Sequence, residues 1–144
     1  MTHDSDPDLV VRLSTLLAGM PFAPALKVEV VSATKGSATL EVPLSPALEA
    51  PPGAFAASSV GVLGDMAAIL SVTSALAVGD AMSTMDFTIK MLGTARGSRL
   101  RATGLAKQIG KTTCVGSAEI SVLQGETWTE CGTLLATGRR LTFG

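Results

Sequence analysis

The sequence predicts an α+β domain in which about six mostly antiparallel strands wrap around one nearly apolar helix. Three observations predict it. Residues 56–76 are Ala, Val, Leu, Ile and Met with small hydroxyls and a single charge, too long for a strand and apolar on every side. A helix of that kind is one surrounded by protein. On either side of it lie runs in which apolar and polar residues alternate with a period of two, as in strands with one covered face. The turn signals between these runs sit at the spacing of hairpins.

Taken in order, residues 1–6 read as a frayed end. Pro7 follows Asp6, a good N-cap, and Leu9, Leu13, Leu16 and Leu17 then fall on one face, which predicts an amphipathic helix over 7–19. Gly19 and Pro21 end it. Leu26, Val28 and Val30 alternate with Lys27 and Glu29, and Ala38, Leu40 and Val42 with Ser37, Thr39 and Glu41. These are the first two strands, joined at Thr34-Lys35-Gly36. Pro43, Pro46, Pro51 and Pro52 make residues 45–55 a loop, and the apolar helix follows, closed by Gly79-Asp80. Met85, Phe87, Ile89 and Met91 mark the third strand. Leu100, Ala102 and Ala106 belong to the fourth, which ends at Ile109-Gly110-Lys111. Residues 115–123 and 127–142 form the last two, separated by Gln124-Gly125-Glu126. A single domain over 1–144 accommodates all of this, since the length suits one core.

Composition narrows the function. The chain is 47% hydrophobic and 16% charged, with mean hydropathy +0.43. Apolar surface beyond what a small interior can hold tends to enter a subunit interface, so an oligomer is expected. A net charge of −1, scattered Lys and Arg, one Trp and no Tyr give neither the basic face nor the stacking platform of a nucleic-acid partner. Residues 60–78 approach the length of a membrane span, but Asp65, Gly61, Gly64 and three hydroxyls interrupt them and no aromatic belt flanks them. No membrane partner is expected, and the acidic first residues point to the cytoplasm rather than to secretion. Cys114 and Cys131 have no metal-ligand spacing and read as small buried hydrophobes, with a disulfide left open.

The chemistry is narrowed mainly by exclusion. His3 is the only histidine, so Ser-His-Asp and Cys-His catalysis lack their base and His-ligated zinc lacks its ligands. No glycine-rich phosphate loop occurs, and no bound cofactor is expected. Among the carboxylates Asp65 stands apart as the only charge between Glu49 and Asp80. Inside an apolar helix it must be partnered, protonated or turned to a wet cleft. It is either a solvated or hydroxyl-bonded structural Asp, or the reactive group. Gly61 and Gly64 beside it cost helix stability, roughly 1 kcal/mol each relative to alanine, which close packing or a close ligand explains.

The order of elements, the Pro51-Pro52-Gly53 loop and the run from Ala56-Ala57-Ser58 to Gly64-Asp65 resemble the hot-dog-fold thioesterases of the phenylacetate-degradation (PaaI) type. That family carries a Pro-x-Gly loop, His-Gly-Gly opening the central helix, and an Asp nine residues after the His. Asp65 lies nine residues after Ala56. Thr84-Met85-Asp86-Phe87 is similar to the family's third strand, Ala95-Arg96-Gly97 to the loop before the fourth, and Gly110-Lys111 to the next hairpin. The resemblance spans residues 20–142. It implies hydrolysis of an acyl-CoA thioester, with Asp65 as general base or nucleophile, the Ala57 N–H polarising the carbonyl, and Thr84 orienting water. Ala56, Ser58, Ser59 and Met85 would line the substrate, and Gly110, Lys111, Arg96 and Arg140 would receive the coenzyme A portion. It further implies a homodimer or dimer of dimers, with the Asp and the amide on different subunits. Ala56, Ala57 and Ser58 replace the His-Gly-Gly, and Ala50 a common Asn. These departures imply the alternative of a hot-dog protein that binds acyl-CoA and hydrolyses it weakly.

Overall fold

The computed structural model describes residues 4–142. The elements are α1 (Pro7–Ala18), α2 (Phe22–Leu26), β1 (Glu29–Thr34), β2 (Ser37–Pro43), a 3-10 turn (Pro46–Leu48), β3 (Ala54–Phe55), α3 (Ala57–Ser74), β4 (Asp80–Met91), β5 (Ala95–Arg96), β6 (Arg99–Ile109), β7 (Thr113–Gln124) and β8 (Thr127–Thr142). Six strands form one antiparallel sheet in the order β1-β2-β6-β7-β8-β4, which leaves β1 and β4 as its edges. The sheet wraps α3, a core helix of the domain with 72% of its residues buried.

The sheet meets this helix through small residues. A Cβ at Gly104 would overlap the carbonyl of Ala67, and one at Gly116 would lie 2.8 Å from the Ala68 oxygen. Strands β6 and β7 therefore rest directly on the helix backbone. Gly64 answers the question posed by its cost, since a Cβ there would press on Ile120 and Leu134 at 3.1 Å. Around this contact Leu40, Leu63, Leu70, Leu100, Ile120 and Val122 are fully buried. Cys114 and Cys131 are free and buried in the same core, and burial pushes the Cys131 thiol up to about 11.

Three expectations need correction. Ser5 and Asp6, expected in a frayed end, are tied down: Asp6 donates its N–H to the Ala33 carbonyl at 2.7 Å, and Ser5 Oγ accepts from the Ala33 N–H at 3.0 Å, while residues 1–3 of that expectation lie outside the described residues. Asp6 also caps α1 through its carboxylate. The first strand begins at Glu29 rather than Leu26, because residues 22–26 form the helix α2. Its end is closed by Lys27 in the left-handed region at φ 64°, whose N–H returns to Ala23 and Pro24. A bulge between Val30 and Ser32 then sets Val30 and Ala33 inward. Finally, the 45–55 loop is partly ordered as strand, since Ala54 and Phe55 pair with Arg96 and Ala95.

Candidate functional site

Asp65 lies midway along α3, half-buried, and accepts a hydrogen bond from Thr84 Oγ1 at 2.8 Å. Among the described residues Thr84 is its one side-chain partner. Burial pushes the Asp65 carboxyl up from its ordinary value, and the Thr84 bond holds it partly back. Strand β4 presents Thr84 through a bulge. Thr84 pairs with Gly138 and Asp86 with Thr137, so Met85 is an extra residue. The insertion lets both Thr84 and Phe87 face the helix, where an unbroken strand alternation would turn one of them away. Met85 itself points outward, 59% exposed.

Two largely apolar cavities flank the carboxylate. One, of about 330 Å³, runs toward the C-terminal half of α3, between Leu16 of α1, Met20 in the turn after it, and Met82 of β4. The other, of about 480 Å³, lies toward the helix N-terminus and is lined by Phe22, Leu26, Val62, Met66, Phe87 and Ser58. Phe55, by contrast, is buried in the core at 3% exposure and lines neither cavity. Leu16, Met20 and Phe22 were missed by the sequence reading, although Leu16 and Met20 stand four residues apart.

The helix N-terminus is open. Ala56 precedes it without a side-chain cap, and no acceptor among the described residues receives the N–H of Ala57 or Ser58. Both are exposed, and neither adopts positive φ, so the methyl and hydroxymethyl groups are held without strain. Ser59 differs: it is 8% exposed and its hydroxyl donates to the Leu48 carbonyl at 2.9 Å, which ties the loop to the helix. Ala57 and Asp65 are eight residues apart, about 12 Å along the axis. One carbonyl group cannot touch both within a single chain.

The cations do not converge. Arg96 donates to the Pro52 carbonyl at 3.1 Å and braces the Pro51–Gly53 loop. Gly110 and Lys111 lie past the other end of β6, roughly 35 Å away at ~3.3 Å per strand residue. Arg140 lies beside that second turn, its N–H donating to the Thr112 carbonyl at 2.8 Å. Its guanidinium is held by Asp80 at 2.8 Å and keeps that carboxyl below the usual carboxylate range. No group of three or more His, Cys, Asp and Glu among the described residues could hold a metal ion.

No protein-family model and no curated protein sequence matches the chain. Solved structures do resemble it. A thioesterase family protein from Silicibacter pomeroyi aligns with TM-score 0.87 and 22% identity, over 93% of this chain and 98% of that one. A thioesterase from Haemophilus influenzae aligns at 0.79 and 15%, over 92% and 90%. The Escherichia coli PaaI protein from the phenylacetic acid degradation operon aligns at 0.74 and 20%, over 94% and 99%. At these identities the likeness shows the fold: the chain is a hot-dog-like α+β domain, with six antiparallel strands packed on one long central helix.

Proposed function

We propose that this protein hydrolyses acyl-CoA thioesters, with Asp65 as the catalytic carboxylate. The observation that carries the reading is a single half-buried carboxylate, oriented by Thr84 and set between two apolar cavities. Such a group, its pKa raised by burial, suits proton abstraction next to an apolar acyl chain. Asp65 takes a proton from water as the oxygen attacks the thioester carbonyl. The C–S bond then breaks, and the thiolate leaves with that proton as free coenzyme A. Attack by Asp65 itself, through an anhydride that water then opens, uses the same geometry.

The negative charge that develops on the carbonyl oxygen needs a donor, which the open first turn of α3 supplies through the Ala57 N–H and the positive end of the helix dipole. The 12 Å between that N–H and Asp65 requires two chains. The apolar face of Phe22, Val62, Met85 and Phe87, each 38–59% exposed beside the free edge of β4, is the surface a second copy covers. A homodimer, or a dimer of dimers, then completes each site. Coenzyme A lies along the Gly110–Lys111 turn, beside which Arg140 is held by Asp80, while Arg96 braces the Pro51–Gly53 loop that leads into α3.

Weak hydrolysis by an acyl-CoA-binding protein is the second reading, favoured by the absence of any polar side chain at Ala56 and Ala57. Thiol release from a panel of acyl-CoAs separates the two. Under the first reading wild type turns over and Asp65→Asn loses roughly 10²–10⁴-fold while still binding coenzyme A. Binding without turnover in wild type establishes the second.

A further inference from the structure

The 330 Å³ cavity beside Asp65 and Thr84 does not end at α1. Leu16 and Ala81 line it and also line a second cavity of about 350 Å³, whose far wall is Val78, Gly79 and Asp80. Leu16 is 38% exposed and stands where the two meet, so the side chain divides one apolar channel into two chambers. The inner chamber contains no aromatic ring and no cation. The one buried hydroxyl on its wall, Thr73, is already used, accepting the Met82 N–H at 3.3 Å. The outer chamber ends in charges that are internally satisfied. Arg12 donates to the Leu76 and Ala77 carbonyls at 3.4 and 3.2 Å, and Asp80 is paired with Arg140. Nothing along this path calls for a polar or charged substituent on the occupant.

We infer that the channel holds the acyl chain of the substrate, that this chain is linear and aliphatic, and that Leu16 is the residue that sets its length. The inference rests on the thioester reading above and adds to it the substrate class and a specificity-determining position outside the catalytic helix. The reacting carbonyl sits at Asp65, the first methylenes fill the chamber under Met20 and Met82, and Leu16 stops the chain. The larger cavity on the other side of Asp65 differs in carrying the aromatic rings of Phe22 and Phe87, and it opens onto the exposed apolar face that a second copy covers.

The test uses non-hydrolysable S-alkyl-CoA thioethers of increasing length, titrated calorimetrically into the full-length wild type, Leu16→Ala and Leu16→Phe. Affinity rises about fourfold for each methylene buried and levels off where the chain meets the block. The break in this series moves to longer chains in Leu16→Ala and to shorter ones in Leu16→Phe, and a phenyl-terminated thioether binds more weakly than its linear counterpart. A break at the same length in all three proteins overturns the assignment, as does the absence of binding at every length. Thiol release from the matching thioesters is read separately. Turnover with an unmoved break removes Leu16 and leaves the hydrolase, whereas a moved break without turnover keeps Leu16 and removes the hydrolase.

Discussion

Replacing Thr84 by Val removes one hydroxyl and almost no volume, at a strand position where Val is favoured. The hydrogen bond lost is the 2.8 Å contact to Asp65 Oδ1, the one interaction that holds the carboxyl down against burial. A hydrogen bond to a charged acceptor contributes about 1.5–3 kcal/mol. Asp65 is only half-buried, so water replaces part of the donor and about 1 kcal/mol remains as the net change. At 1.36 kcal/mol per unit this moves the carboxyl up by roughly 0.7 of a pKa unit. The acid limb of kcat/KM for thiol release, which reports the free enzyme, therefore moves to higher pH by that amount.

A stability measurement checks the same titration without turnover. A carboxyl raised in the folded state contributes stability that is complete below its unfolded value, near 3.8, and is lost as pH rises through the folded value. Asp65→Asn carries no such loss, so its Tm advantage over wild type grows as pH rises from about 4 through the raised folded value and then levels off. In the Thr84→Val background that growth continues to higher pH. An acid limb that stays in place or moves down, or a Tm advantage that shrinks with rising pH, refutes the reasoning.

Other perturbations follow from the same contacts. Gly104→Ala forces a methyl into the Ala67 carbonyl, costs about 3 kcal/mol, and lowers Tm by roughly 6–12 °C in a melt followed by circular dichroism. Arg140→Gln destabilises the protein at neutral pH. The deficit closes as pH falls through the depressed Asp80 value, because that carboxylate contributes stability only while ionised; Tm measured against pH reads this. Arg96→Ala frees the Pro52 carbonyl, at a cost of about 1 kcal/mol, and speeds hydrogen exchange at Ala54, whose N–H is bonded to the Pro51 carbonyl. Phe87→Lys places a charge in the exposed apolar face and yields a monomer by light scattering, with thiol release lost along with the dimer.

What the amino-acid order determined by itself was whatever depends on near neighbours. The alternations in β2, β4, β6, β7 and β8 specify one covered face because side chains in a strand turn over every second residue. The apolar run 57–74 could be stable only inside protein, which made Asp65 visible as a lone charge in a place that penalises charge. Where the order fell short, the deciding partner was distant. The segment 22–26 is too short for a helical period to show, and its alternation with Val28 and Val30 imitates a strand until Lys27 turns left-handed. The strand at Ala54–Phe55 exists only because Ala95–Arg96 arrives beside it. Arg96 and Arg140 looked alike as cations, yet one is bound to a carbonyl 44 residues away and the other to a carboxylate 60 residues away. Thr84, 19 residues from Asp65, reaches it because the sheet curls β4 against the helix and the bulge at Met85 turns the hydroxyl inward. Tertiary packing brought α1 over the C-terminal half of α3, and with it Leu16 to the cavity beside the carboxylate. Periodicity encodes which face of an element is buried; which residues meet across that face is decided when the strands find their order.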